Sequence, residues 1–103
     1  TFGESTLAEV SHHVADWAFL SPVGLHATHG ATDYDHAEGA LARAMARQAR
    51  RTAILADHSK LGVLSRVGFC SVEDIDVLVV DHQANKQPAL AALRGRVGEI
   101  LLG

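Results

Sequence analysis

The sequence has a single cysteine, Cys70, and that scarcity excludes any intrachain disulfide. Stability must come from burial and hydrogen bonding, and a reducing compartment, the cytoplasm, fits that usage. Nothing in the sequence supports nucleophilic chemistry at Cys70, so it reads as a small core residue. Long apolar runs are lacking as well. None reaches the roughly 20 residues that a helix needs to cross a bilayer, and no secretory leader pattern opens the chain. Basic charge is also scarce: 9 Lys and Arg stand against 12 Asp and Glu, a net charge of −3. That balance argues against a nucleic-acid-binding surface on this chain. The only basic cluster, Arg43, Arg47, Arg50 and Arg51, has helical spacing and reads as a solvated helix face. An initiating methionine is missing too: the chain begins Thr1-Phe2-Gly3, as a piece of a longer protein would.

What is present is enough for one small domain, since 48% of the 103 residues are apolar. The run Ala53-Ile54-Leu55-Ala56 predicts a buried strand, and it breaks into Asp57, His58, Ser59 and Lys60, with Gly62 following. Upstream, residues 5–14 read as a helix with Ser5 as cap and Leu7, Val10 and Val14 on one face. Gly3, Ser5 and Thr6 stand at its amino end, where free N–H groups suit either an ordinary helix start or an anion. Trp17-Ala18-Phe19-Leu20 predicts a strand that Pro22 and Gly24 terminate. Residues 24–34 are expected to be a long loop carrying His26 and His29, two imidazoles without the further ligands a metal site requires.

The second helix starts at Asp35 with Glu38 three residues on, a capping-box-like signal. Ala37, Leu41, Ala44, Met45 and Gln48 trace its mostly apolar stripe, and the arginines fall late in it. A short strand is expected around Val67 to Cys70, then a helical turn capped by Ser71 and running to Asp74. The near-continuous β-branched run from Ile75 to Asp81 suits a strand buried on both faces of a parallel sheet. Pro88 to Leu93 reads as a helix with Gly95 beyond its end, and Val97 to Leu102 as a last strand. This alternation predicts an α/β fold: a mainly parallel, Rossmann-like sheet with helices on both faces. The Gly24 loop, Asp57 to Lys60, and Asp81 with His82 all follow strand ends. In a parallel sheet those ends share one edge, the edge where open α/β sheets bind ligands.

These residues resemble a known family. Ala56-Asp57-His58-Ser59-Lys60-Leu61-Gly62 resembles the Asp-x-Ser-Lys-x-Gly motif of the carboxyl-terminal effector domain of DeoR-family transcriptional repressors. Asp16 to Leu20, Gly30-Ala31-Thr32 with Glu38 and Arg43-Ala44-Met45, and Asp74 to Asp81 resemble that domain's other segments in the same order. Ser21 stands where the family usually has glycine, Ala42 where it usually has lysine, and Gly39 sits inside the helix. The resemblance implies the later portion of a sensor domain spanning residues 1–103, incomplete at its amino end and without the family's helix-turn-helix. It implies a fold similar to ribose-5-phosphate isomerase and the CoA transferases. It implies a phosphorylated sugar or related metabolite as effector, DNA contact only through the absent helix-turn-helix, and a homo-oligomer. Asp57, Ser59, Lys60, Gly62, Gly24 and Asp81 are the candidate ligand residues, with Lys60 meeting phosphate and the carboxylates meeting hydroxyls. No catalytic residue, cofactor or metal is expected. Two other readings stay open: a sugar-phosphate isomerase using Asp57 or Asp81 as base, and an oligomerising module without ligand.

Overall fold

The computed structural model describes residues 4–103, with the side chains of residues 4–6 and 11 left aside; the anion-site expectation at Gly3, Ser5 and Thr6 lies outside what is described. The elements run α1 (Glu4–Ser11), β1 (Ala15–Leu20), β2 (Gly24–His26), β3 (Gly30–Asp33), α2 (His36–Gln48), β4 (Ala49–Ala56), β5 (Val67–Cys70), β6 (Val77–Val80), α3 (Pro88–Leu93) and β7 (Glu99–Leu102). Short 3₁₀ turns cover His58–Lys60, Val72–Asp74 and His82–Lys86. Among the described residues there are two sheets. One is wholly parallel, in the order β1-β4-β6-β7; the other is antiparallel, in the order β2-β3-β5.

The parallel sheet explains where the core sits. Its strands are added in chain order, each beside the last. Right-handed crossovers that always step in one direction leave every connection on the same face. That face carries Ala18, Leu20, Ile54, Leu78 and Val80, each at most 7% exposed, and α3 adds Leu90 and Leu93 to the same cluster. The opposite face presents Trp17, Phe19, Leu55, Val79 and Leu101, with Phe19 65% and Leu101 46% exposed. No described helix shields it. The expectation of helices on both faces therefore fails for the described residues, and the cause is the one-directional wiring.

Helix α2 is held by Asp35, whose carboxylate accepts the Ala37 N–H at 2.8 Å. Its buried positions are Gly39 and Ala42, with Met45 and Ala46 packed partly behind them, so the stripe drawn through Leu41 and Ala44 is displaced by about one position. Gly39 has a packing reason: a Cβ there would stand 2.7 Å from Cγ1 of Val67 on β5. The helix stops at Gln48, and Arg50 and Arg51 lie in β4 rather than late in the helix. Arg51 lies over the Trp17 ring, 4.6 Å from its centroid, and Arg50 approaches Asp16 at 4.0 Å.

The long loop expected at 24–34 is a hairpin, β2 and β3, that pairs onward with β5. His26 serves its turn, its Nδ1 accepting the N–H groups of Thr28 and His29. Thr32, 1% exposed, ties the hairpin down: its hydroxyl donates to the Gly24 carbonyl and accepts the Ser65 N–H. Ser71 occupies the N-cap position of the following turn, but its side chain makes no capping bond; its hydroxyl donates to the Asp74 carboxylate at 2.9 Å. Cys70 is buried, and that burial, with Asp74 and Asp76 nearby, pushes its thiol up to about 11, which keeps it protonated and inert.

Candidate functional site

The carboxyl edge of the parallel sheet is built by register. Ala56 on β4 pairs with Val80 on β6, so Asp57 and Asp81, the next residues, leave the sheet side by side. Both line a shallow depression of about 420 Å³ together with Leu55, Ala56, Val79, Val80 and Gly103.

The two carboxylates have different work. Asp57 caps the turn that follows it: one oxygen accepts the Ser59 N–H at 2.8 Å and also the Ser59 hydroxyl. Those hydrogen bonds from Ser59, helped by the charge of Lys60 and by His58, hold its carboxyl below the ordinary aspartate value. Asp81 reaches across to the same turn. Its Oδ1 accepts the His58 backbone N–H at 2.5 Å and its Oδ2 meets the His58 Nδ1 at 2.8 Å. Burial works against ionising Asp81, but the ring and backbone hydrogen bonds of His58 outweigh it and its carboxyl also lies below the ordinary value. Asp81 starts its own 3₁₀ turn without capping it, because its carboxylate is turned toward His58.

Lys60 ends the turn and is partly buried. Among the described residues no carboxylate lies within ion-pair distance of its ammonium. Gly62 follows with φ +82°, a conformation that favours glycine, and its N–H donates to the Leu25 carbonyl at 2.8 Å. A bridge between Leu25 and Leu61 sets the start of the hairpin beside the Lys60 turn. Gly24 is close by, where a Cβ would run into the Val63 carbonyl. The structure thus brings Asp57, Ser59, Lys60 and Gly62 into one turn and joins Asp81 to it through His58. Gly24 packs against the segment after that turn.

Reading the sequence missed two things. One is His58, which is absent from the candidate ligand residues; the signal was Asp81 at the end of the adjacent strand. The other is a cavity of about 620 Å³ at the opposite edge, lined by Arg43, Arg47, Thr52, Cys70 and Asp76 among others, and by none of the candidate ligand residues. Its acids are already engaged. Asp76 accepts the Thr52 N–H at 2.7 Å, and Glu73 accepts two hydrogen bonds from Arg96, which holds its carboxyl below the ordinary value. Arg96 also donates to the Ala27 carbonyl, so this edge is a clasp that fastens the hairpin turn to the chain's last segment.

Comparison with known proteins bears on the same residues. A family model described as the DeoR C-terminal sensor domain matches residues 1–82, from the amino end through the Asp57–Gly62 turn to Asp81. The HTH-type transcriptional regulator GolR of Listeria innocua is 36% identical over 72 residues, covering 70% of this chain and 28% of the relative. The HTH-type transcriptional repressor GlcR of Bacillus subtilis is 35% identical over 101 residues, covering 98% and 38%. The glycerol-3-phosphate regulon repressor of Haemophilus influenzae is 29% identical over 103 residues, covering 92% and 40%. The chain spans between 28% and 40% of the length of these relatives. With four-fifths of its length matched in order, the chain belongs to the family of DeoR C-terminal sensor domains.

Proposed function

We propose that this chain is the later portion of an effector-sensing domain in a DeoR-type transcriptional repressor, and that its effector is a phosphorylated sugar or a related polyol phosphate. The observation that carries the effector class is Lys60: a partly buried cation, without a carboxylate partner among the described residues, at the carboxyl edge of a parallel sheet. A point charge there suits a phosphate, and the free capacity of Asp57 suits hydroxyls. The relatives support the regulatory reading, since they are named as transcriptional regulators and one as a glycerol-3-phosphate regulon repressor. They favour binding over catalysis, and DNA contact belongs to a helix-turn-helix outside these 103 residues. The reading as part of a larger domain is supported by the uncovered sheet face, because parallel sheets are ordinarily covered on both sides; the ribose-5-phosphate isomerase type of fold rests on the family resemblance alone. A cytoplasmic homo-oligomer fits such a regulator, and no described helix is long and apolar enough to cross a membrane.

The test is calorimetric titration of the full-length protein carrying this chain with glycerol 3-phosphate, glucose 6-phosphate and inorganic phosphate. Lys60→Ala removes a charge-assisted hydrogen bond worth about 1.5–3 kcal/mol. The expected result is a roughly tenfold to hundredfold loss of affinity with folding little changed. Equal binding by wild type and variant would remove Lys60 from the site.

A further inference from the structure

The Asp81 carboxylate grips His58 at two points, the backbone N–H and the ring, and that grip has a chemical consequence. An ionised carboxylate only accepts hydrogen bonds. The proton of a neutral His58 ring must therefore sit on Nδ1, which leaves Nε2 as a bare acceptor. The ring is 36% exposed, and among the described residues nothing engages Nε2. It stands in the same turn as Asp57 and Lys60, on the edge where the loops after β4 and β6 meet.

Resting on the effector reading above, we propose that His58 is a further effector-contacting residue whose Nε2 accepts a hydrogen bond from a hydroxyl of the polyol part of the ligand, and that Asp81 is the positioning residue that fixes its tautomer. This divides the turn into two kinds of contact. Lys60 holds the anion, while His58 reads the presence of a hydroxyl beside it. A donor-to-acceptor match of this sort rejects a ligand that lacks the hydroxyl, because the acceptor is then left without a partner. It also moves Asp81 out of the ligand shell, where its strand-end position, its residue type and the family resemblance had placed it.

Two measurements on the full-length protein test this. In the first, nitrogen-15 NMR of the His58 ring should show the proton on Nδ1 in the wild type and its transfer to Nε2 in Asp81→Asn, whose amide presents a donor to Nδ1. A merely structural Asp81 would leave the tautomer unchanged between the two, and a wild-type ring protonated only on Nε2 overturns the proposal without reference to any ligand. In the second, calorimetry compares glycerol 3-phosphate with inorganic phosphate. His58→Asn retains a donor near the Nδ1 position and so retains the turn, but it has no Nε2. The expected result is about a three- to tenfold loss for glycerol 3-phosphate and little change for inorganic phosphate. Equal losses for both probes, or no loss for either, overturn the hydroxyl contact while leaving the Lys60 reading standing. Failure of the wild type to bind any probe overturns the sensing reading, and this proposal with it.

Discussion

The two faces of the parallel sheet are made by the same four strands and are chemically unlike in their fate. On one, Ile54 and Leu78 are fully buried beneath α2, α3 and the hairpin sheet. On the other, Phe19 stacks on Trp17 at 5.8 Å between centroids and stays 65% exposed. Composition separates them only in part, since both carry an apolar row and the open face adds Arg51 and Glu99. Wiring does: strands laid down in one direction send every crossover to the same side. An apolar row of Trp17, Phe19, Leu55, Val79 and Leu101 left in water is a surface with reason to be covered.

The largest expected effect contrasts the faces directly. Ile54→Ala should destabilise the 103-residue chain by about 2–5 kcal/mol, the cost of a large-to-small change in a filled core. Phe19→Ser in the same chain should stay within about 0.5 kcal/mol, as exposed substitutions do. Urea denaturation of both variants reads the difference, and repeating Phe19→Ser in the full-length protein sharpens it. If the face is covered there, the serine variant loses several times more stability than in the short chain. A large loss in the short chain itself would break the comparison.

A smaller effect tests how tightly the covered face is packed. Gly39→Ala gains helix propensity of about 1 kcal/mol, yet its methyl meets the stiff Val67 side chain at 2.7 Å. Overpacking costs of about 1–3 kcal/mol should win, giving a net loss near 1 kcal/mol by thermal or urea unfolding. A stabilised variant would mean that β5 yields easily and that this side is looser than its burial implies.

The smallest effect belongs to the edge between the faces. The carboxyls of Asp57 and Asp81 are depressed in the folded state, so the stability they contribute is complete above the ordinary aspartate range near pH 3.8 and is lost as pH falls through their lower folded values. Acid titration followed by NMR should show the His58 and Ser59 amides shifting below that range, before the amides of Ile54 and Leu78. Simultaneous loss at all four would tie the edge to the core.

Much of this was legible in the residues. Ala53 to Ala56, Val77 to Val80 and the Asp35-capped helix announced themselves by apolar runs and capping chemistry. So did the shared edge that holds Asp57, Ser59, Lys60, Gly62 and Asp81. What was hidden has physical reasons. The hairpin strands are three and four residues long, too short for a period to register, so 24–34 read as loop. The stretch from Ala42 to Arg51 has no glycine or proline, and arginine suits a helix well, so the switch to β4 at Ala49 left no local mark. The continuous run in β6 announced burial on both faces, while the half-buried Val79 shows that a strand's pattern cannot say what lies above it. Gly24 signals a close approach in the sequence, and the structure supplies one in the Val63 carbonyl, a partner distant along the chain that no local pattern could name.

Strand order that equals chain order also bears on how such a chain is made. A ribosome delivers the sequence amino end first. Here β4 can join the free edge of β1, β6 the free edge of β4, and β7 the free edge of β6, each as it emerges. No strand has to be inserted between two that are already paired. Every addition closes only the stretch of chain just synthesised, which keeps the entropic barrier of a parallel sheet divided into small steps. The growing edge stays open to the next strand, and to any foreign strand that arrives first, until the chain is complete.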